Sequence, residues 1–223
     1  TVLSRGLGDV YKRQLMCRVN SHSSVPLCVD LDGSLLKSDL LWESFVRVLK
    51  SRPLLLMLLP LWLLRGISNL KAQLALYAEI DIAHLPYNKA VLEYVEEQHR
   101  VEKRQLVLCT GSHEMLAEQV CRHFDFFSGC LATDNTTNLT GRMKAQRLVE
   151  EYGSHGFDYI GNEEKDHHVW LVSRHALVVS DDSKFVDEVK KRHNVSKIFD
   201  SGARPFRSIP TVSYTHLRAH ETR

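Results

Sequence analysis

No Cys-x-x-Cys pair, no large excess of either charge and no bilayer-length apolar run occur in these 223 residues. Each absence excludes something. The five cysteines, at positions 17, 28, 109, 121 and 130, are scattered. They read as reduced thiols of a cytoplasmic protein, not as a disulfide framework or a zinc site. The twelve histidines are dispersed too. His167-His168 is the one adjacent pair, and an exposed helix start accounts for it at least as well as metal binding does. Lys and Arg total 29 against 27 Asp and Glu, a formal net charge of +2. Residues 1–14 carry +2 and residues 211–223 carry +1, so the body of the chain is at −1. That leaves no basic footprint for nucleic acid. The first residues lack the apolar core of a signal peptide.

Hydrophobic residues make up 43% and charged residues 25%, as in ordinary globular proteins. The length suits one domain, or a domain with an insertion. Both ends stand apart. Residues 1–14 (TVLSRGLGDVYKRQ) and 211–223 (TVSYTHLRAHETR) have no clean periodicity and resemble translated adaptor sequence. They are set aside, and the chain is read as a fragment whose native continuation after Pro210 is missing.

Five short apolar runs read as strands: 25–29, 105–109, 129–132, 157–160 and 176–179, with 196–199 a candidate edge strand. Helical patterns alternate with the later ones. Residues 112–124 start on a Ser cap, 142–152 stop at Gly153, and 166–175 and 183–193 follow the same rhythm. Strand–helix alternation predicts an α/β, Rossmann-like parallel sheet with helices on both faces. Residues 35–103 break the rhythm. They hold three helical stripes (Leu40, Leu41, Phe45, Val48 and Leu49; 70–77; 91–99) and no convincing strand. This predicts an all-helical cap inserted after the first strand, with the core formed by 15–34 and 104–210. In an enzyme such a cap is a lid over the strand ends.

Within the cap, residues 53–64 read PLLLMLLPLWLL. As a helix the segment reaches about 18 Å against a hydrocarbon core of about 30 Å, and Pro60 interrupts it. Three readings stay open: a buried cap helix, an apolar substrate wall, or a surface that docks on a membrane or a membrane domain. Arg47, Lys50, Arg52 and Arg65 flank it, and they suit either anionic lipid or a plain solvated rim.

Chemistry concentrates at strand ends. Asp30-Leu31-Asp32-Gly33-Ser34 follows the first run. Carboxylates two residues apart on a strand point the same way. Held close, they repel unless a cation such as Mg²⁺ lies between them. One can then serve as nucleophile and the other as general acid/base. The ordinary counterpart is a solvated turn. After the second run, Thr110-Gly111-Ser112 combines a hydroxyl, a Gly turn and a helix start, an anion site or a simple cap. Lys144 follows Gly141 near a helix start. It either neutralises phosphate and the nucleophile or lies solvated on the surface. Gly161-Asn162-Glu163-Glu164-Lys165-Asp166 offers oxygen ligands for Mg²⁺, or an acidic loop capping a helix through Asp166.

In order and spacing these four segments resemble the haloacid dehalogenase-like (HAD) superfamily of phosphohydrolases, in particular its phosphoserine-phosphatase-like members with a helical cap. The resemblance covers roughly residues 25 to 200. It implies that Asp30 attacks phosphorus and forms an aspartyl-phosphate, and that Asp32 protonates the leaving oxygen and then activates water. It implies phosphate binding by Thr110, Gly111 and Lys144. It implies Mg²⁺ held by Asp30, the backbone carbonyl of Asp32 and Asn162, with Asp166 in support. The motif ordinarily opens with Asp where Asn162 stands, so weaker metal binding is expected. Three segments, DLDGSLLKSDLLWESF, RPLLLMLLPLWLLRG and FDYIGNEEKDHHVW, resemble the soluble HAD-like domain that precedes the membrane domain in some UbiA-type polyprenyltransferase fusion proteins. This implies a lipid or small-molecule phosphate substrate, or docking on a membrane prenyltransferase. The expected station is the cytoplasm or the inner face of the membrane.

Overall fold

The computed structural model describes residues 24–134 and 137–202. The segments 1–14 and 211–223, Cys17 and the stretch past Pro210 lie outside the described residues.

The apolar runs form a six-stranded sheet: β1 (Leu27–Val29), β2 (Leu106–His113), β3 (Gly129–Thr133), β4 (Asp158–Gly161), β5 (Ala176–Val179) and β6 (Val195–Phe199). The spatial order is β3-β2-β1-β4-β5-β6, and every neighbouring pair is parallel. β1 is central: Leu27 sits between Leu106 and Asp158, and Val29 between Leu108 and Ile160. Side-chain alternation sorts the core into two layers. Leu27, Val29, Leu106, Leu108, Ile160 and Leu177 face one way; Cys28, Val107, Cys109, Tyr159, Ala176 and Val178 face the other. Both layers are covered, and this is why the strands read as continuous apolar runs rather than alternating ones. The four described cysteines are free.

The helices are α1 (Leu40–Ser51), α2 (Leu59–Leu64), α3 (Ile67–Tyr77), α4 (Lys89–Arg100), α5 (Glu114–His123), α6 (Arg142–Tyr152), α7 (His167–Trp170) and α8 (Ser183–Arg192). Two expectations are corrected. The helix after β2 is capped by His113, whose ring accepts from the Met115 N–H, not by Ser112. β2 runs on to His113, so Ser112 belongs to the strand. The pattern 166–175 shrinks to a 3-10 turn (Glu164–Asp166) and the short α7. The chain leaves the helix where Val169 O accepts from both Val172 and Ser173.

The segment between β1 and β2 is helical. It is stitched shut at its base, where Lys37 N–H donates to Pro86 O and Asn88 N–H to Leu35 O. Beyond the stitch, α4 sends Val91 and Val95 into the sheet core. α4 is thus the crossover helix of the sheet. The helices α1 to α3 form their own small core of Val48, Trp62, Leu74 and Ala78, with Trp62 stacked on Tyr77.

β1, β2 and β3 step one way across the sheet, and β4, β5 and β6 the other. The carboxyl ends of β1 and β4 therefore flank the switch point, where open α/β sheets form their crevice. At the opposite end, buried Asp158 accepts from Arg104 at 2.6 Å, from Arg174 at 2.7 Å and from His175 at 3.1 Å. Burial pushes its carboxyl up, but Arg174 and Arg104 outweigh that and hold it below the usual carboxylate range. A depressed carboxyl stabilises the fold above its unfolded pKa, and this contribution fades as pH falls through the folded value. Asp158→Asn should cost about 3 kcal/mol or more at neutral pH. Urea melts at pH 7 and pH 3 should show that penalty shrinking in acid.

Candidate functional site

Asp30 follows the last residue of β1 and is 5% exposed. Its Oδ1 accepts from Lys144 Nζ at 2.6 Å. Lys144 lies in the first turn of α6 and is also 5% exposed, which excludes the solvated reading. The same ammonium donates to the Tyr159 hydroxyl at 2.8 Å, and that hydroxyl donates to Asp166 Oδ1 at 2.9 Å. Asp166 Oδ2 accepts the backbone N–H groups of Asn162 and Glu163 at 2.9 and 3.0 Å. Both its oxygens are taken, so Asp166 braces the loop after β4.

Asp32 is held differently. Its Oδ2 accepts from Ser112 at 2.7 Å and from Thr110 at 3.1 Å. Its Oδ1 accepts the Leu40 N–H at 2.8 Å, so it sits at the start of α1, where the helix dipole favours a negative charge. Thr110 Oγ1 also accepts the Ser112 N–H at 2.9 Å. The Gly111 carbonyl accepts Lys71 Nζ at 2.6 Å and the Thr133 hydroxyl at 2.7 Å. Lys71 lies on α3 and also donates to Asn138 Oδ1 at 2.9 Å.

Asn162 closes the crevice from the β4 side, its Oδ1 accepting from Ser34 at 3.2 Å. Gly33 has φ +76°, and a Cβ there would lie 2.1 Å from Asn162 Nδ2. The positive φ favours glycine, and its missing Cβ leaves room for the Asn162 side-chain amide. All seven residues expected from the sequence lie at or beside the carboxyl ends of β1, β2 and β4 or at the start of α6.

Charge is unbalanced here. Burial raises the Asp30 carboxyl to about 8; Lys144 opposes the rise, and Asp166 and Asp32 add to it. Asp32 is also raised by burial, against the donors from Leu40, Ser112 and Thr110. Burial works against the Lys144 ammonium, but Asp30 and Asp166 outweigh it and hold its pKa above the ordinary value.

No family model matches the chain. It is 32% identical over 168 residues to the uncharacterized protein y4nM of Sinorhizobium fredii, a match covering 75% of this chain and 32% of that protein. The chain thus spans about a third of the length of that curated relative. A HAD family hydrolase of Salmonella enterica serovar Typhi superposes with a TM-score of 0.57 at 8% identity, covering 77% of this chain and 68% of that one. Phosphoserine phosphatase in its apo form superposes at 0.52, also at 8% identity, covering 79% and 94%. The fold is that of the HAD hydrolases.

The Mg²⁺ implied by the HAD resemblance fits the donor set. Asp30, Asp32 and Asp166 bring three carboxylates against the one buried ammonium of Lys144. Among the described residues Asp30 Oδ2 accepts no hydrogen bond, and Asn162 Oδ1 faces Ser34 on the same turn. An all-oxygen set with surplus negative charge suits a hard divalent cation. Glu164, His167 and Glu188 also bring ligand atoms within 4.8 Å of one another, but they share no residue with this set and are not fully buried.

Sequence reasoning passed over the roles of Ser112, Tyr159 and Lys71. Ser112 was legible as a hydroxyl near Thr110 but was read as a cap. Tyr159 looked like strand filler, and nothing in the local pattern of α3 marks Lys71. Tyr159→Phe keeps the volume but strips one partner each from Lys144 and Asp166. It should destabilise the protein by about 1–3 kcal/mol in urea melts.

Proposed function

We propose that this chain is a Mg²⁺-dependent phosphomonoesterase working through an aspartyl-phosphate on Asp30. The observation that carries the reading is the pairing of Asp30 with Lys144 beside an Asp32 held by Thr110 and Ser112, all at the switch point of a HAD-type sheet.

Lys144 grips Asp30 through Oδ1, leaving Oδ2 to attack phosphorus. As the new P–O bond forms, the ester P–O bond breaks, and Asp32 gives its proton to the departing oxygen. Burial raises the Asp32 carboxyl, which suits a group that must carry a proton into this step. Asp32 then takes a proton from water as that water attacks phosphorus. The bond to Asp30 breaks and phosphate leaves. Thr110 and the ammonium of Lys144 would hold phosphoryl oxygens, and positioning with charge neutralisation supplies most of the acceleration in such transfers. Mg²⁺ would be held by the Asp30 carboxylate, the Asp32 backbone carbonyl and the Asn162 side chain, and would supply neutralisation of charge on the phosphoryl group. Lys71 extends from α3 toward the same place and is bonded to neutral oxygens alone. It adds a cation from the helical insertion. A substrate bearing a prenyl or sugar-lipid group matches the apolar insertion, and transfer to an acceptor other than water would use the same residues.

Asp30→Asn should lower Mg²⁺-dependent hydrolysis of an aryl phosphate at least about a thousandfold, some 4 kcal/mol of barrier. Equal rates in parent and variant would sink the mechanism. Asn162 supports a second reading, a weakly catalytic or non-catalytic domain that docks on or regulates a UbiA-type membrane prenyltransferase, because an amide brings no charge to the metal. The two readings separate on Asn162→Asp. Restoring the charge should lower the half-saturating Mg²⁺ concentration about tenfold if the site turns over, a gain of about 1.4 kcal/mol. If neither parent nor variant turns over at millimolar Mg²⁺, the non-catalytic reading stands.

A further inference from the structure

The segment from Pro53 to Leu64 is apolar on every side. It forms a 3-10 helix (Pro53–Leu58) running into α2. One face packs inward: Trp62 is buried, and Leu55, Leu56 and Leu59 lean on the small core with Val48 and Leu74. The other face bears Leu54, Met57, Leu58, Leu61 and Leu64, whose steps of three, one, three and three residues make a helical stripe. Leu54 and Met57 are each 79% exposed and Leu64 85%. Leu63 is also exposed on α2, and Trp42, Leu49 and Ile67 are exposed on the flanking elements. A helical segment apolar all round is ordinarily buried in a core or a membrane. Here the outer face has no cover among the described residues, and no described helix is long and apolar enough to cross a membrane.

Charge decides what fits. From residue 40 to residue 77 there is one acid, Glu43, against Arg47, Lys50, Arg52, Arg65 and Lys71. Lys71 turns toward Gly111 and Asn138. The other four are exposed, and Arg52 is paired to Glu79. Leucines flanked in the chain by the exposed cations Lys50 and Arg65 match the interface of a bilayer containing anionic lipid: the apolar chains enter the headgroup boundary and the cations meet phosphates. Such a face is poorly suited to open water, since exposed apolar patches of this kind mark interaction surfaces.

We infer that the outer face of the 3-10 helix and α2, with Trp42, Leu49 and Ile67 beside it, docks peripherally on an anionic lipid surface. The proposal does not depend on the phosphatase reading. It is tested by co-sedimentation of the full chain with vesicles of phosphatidylcholine alone or with roughly 30% phosphatidylglycerol. The parent should pellet with the acidic vesicles and be released by salt. A Leu54→Glu/Met57→Glu/Leu64→Glu variant, altered where side chains are solvated, should keep its circular dichroism and melting temperature and lose binding at least about tenfold. Lys50→Glu/Arg65→Glu should weaken binding to acidic vesicles and leave the fold intact. The inference is overturned if the parent stays in the supernatant, if the triple variant pellets equally, or if neutral vesicles bind as well as acidic ones. It is also overturned if the parent is a dimer that the triple variant dissociates without any vesicle binding, because the face then belongs to a second copy.

Discussion

Three carboxylates and one ammonium share a space with almost no solvent, and the site is organised around that crowding. Asp30 and Lys144 meet at 2.6 Å with both side chains nearly buried. Isolated, each charge would be costly to bury; together they offset much of that cost, and the Tyr159 hydroxyl carries the contact on to Asp166. The chain runs from β1 through α6 and β4 to the loop after β4, so three separate pieces of sequence are fixed by one set of charges. Breaking a member leaves a buried charge uncompensated, and that costs more than the pair itself contributes. The surplus negative charge that remains is what a divalent cation would answer.

Much of this was legible because parallel sheets write themselves plainly. Runs such as 25–29 and 176–179 are apolar throughout because both faces of the sheet are covered, and Asp30 and Asp32 at a strand end gained weight only beside the other three segments. Helices with good stops, such as the one ending at Gly153 (φ +80°), came through with their bounds intact. The strand after α4 was harder. Ser112 obeys the local rule for a cap, but the demand of Asp32 for a donor overrides it and carries β2 two residues further than the cap would allow. Lys71 was invisible for a different reason. Its partners, Gly111 O and Asn138 Oδ1, are 40 and 67 residues away, and no periodicity encodes a contact of that range.

The insertion faces two environments at once. α3 reaches inward through Lys71 to the loop that carries Thr110, while the 3-10 helix and α2 turn leucines outward. Between them lies a core of four buried side chains, thin enough that the two faces belong to one small body. Since Asp32 accepts the first N–H of α1, its carboxylate is itself bonded to that body. Motion of the insertion therefore bears directly on Asp32, not only on access to it.

The contact between Gly33 and Asn162 acts as a gauge. A methyl at position 33 would fall 2.1 Å from the Asn162 amide nitrogen, so the bare Cα of Gly33 makes room for that side chain. Such a gauge reads size and is blind to charge. Asparagine and aspartate have the same outline, so an exchange at 162 would change the charge of the crevice with little change of shape. At 33 a side chain would crowd the Asn162 amide and would have to hold a left-handed backbone that L-residues resist. Neighbouring positions in one crevice thus answer to different constraints, 162 to electrostatics and 33 to backbone conformation and room for a side chain.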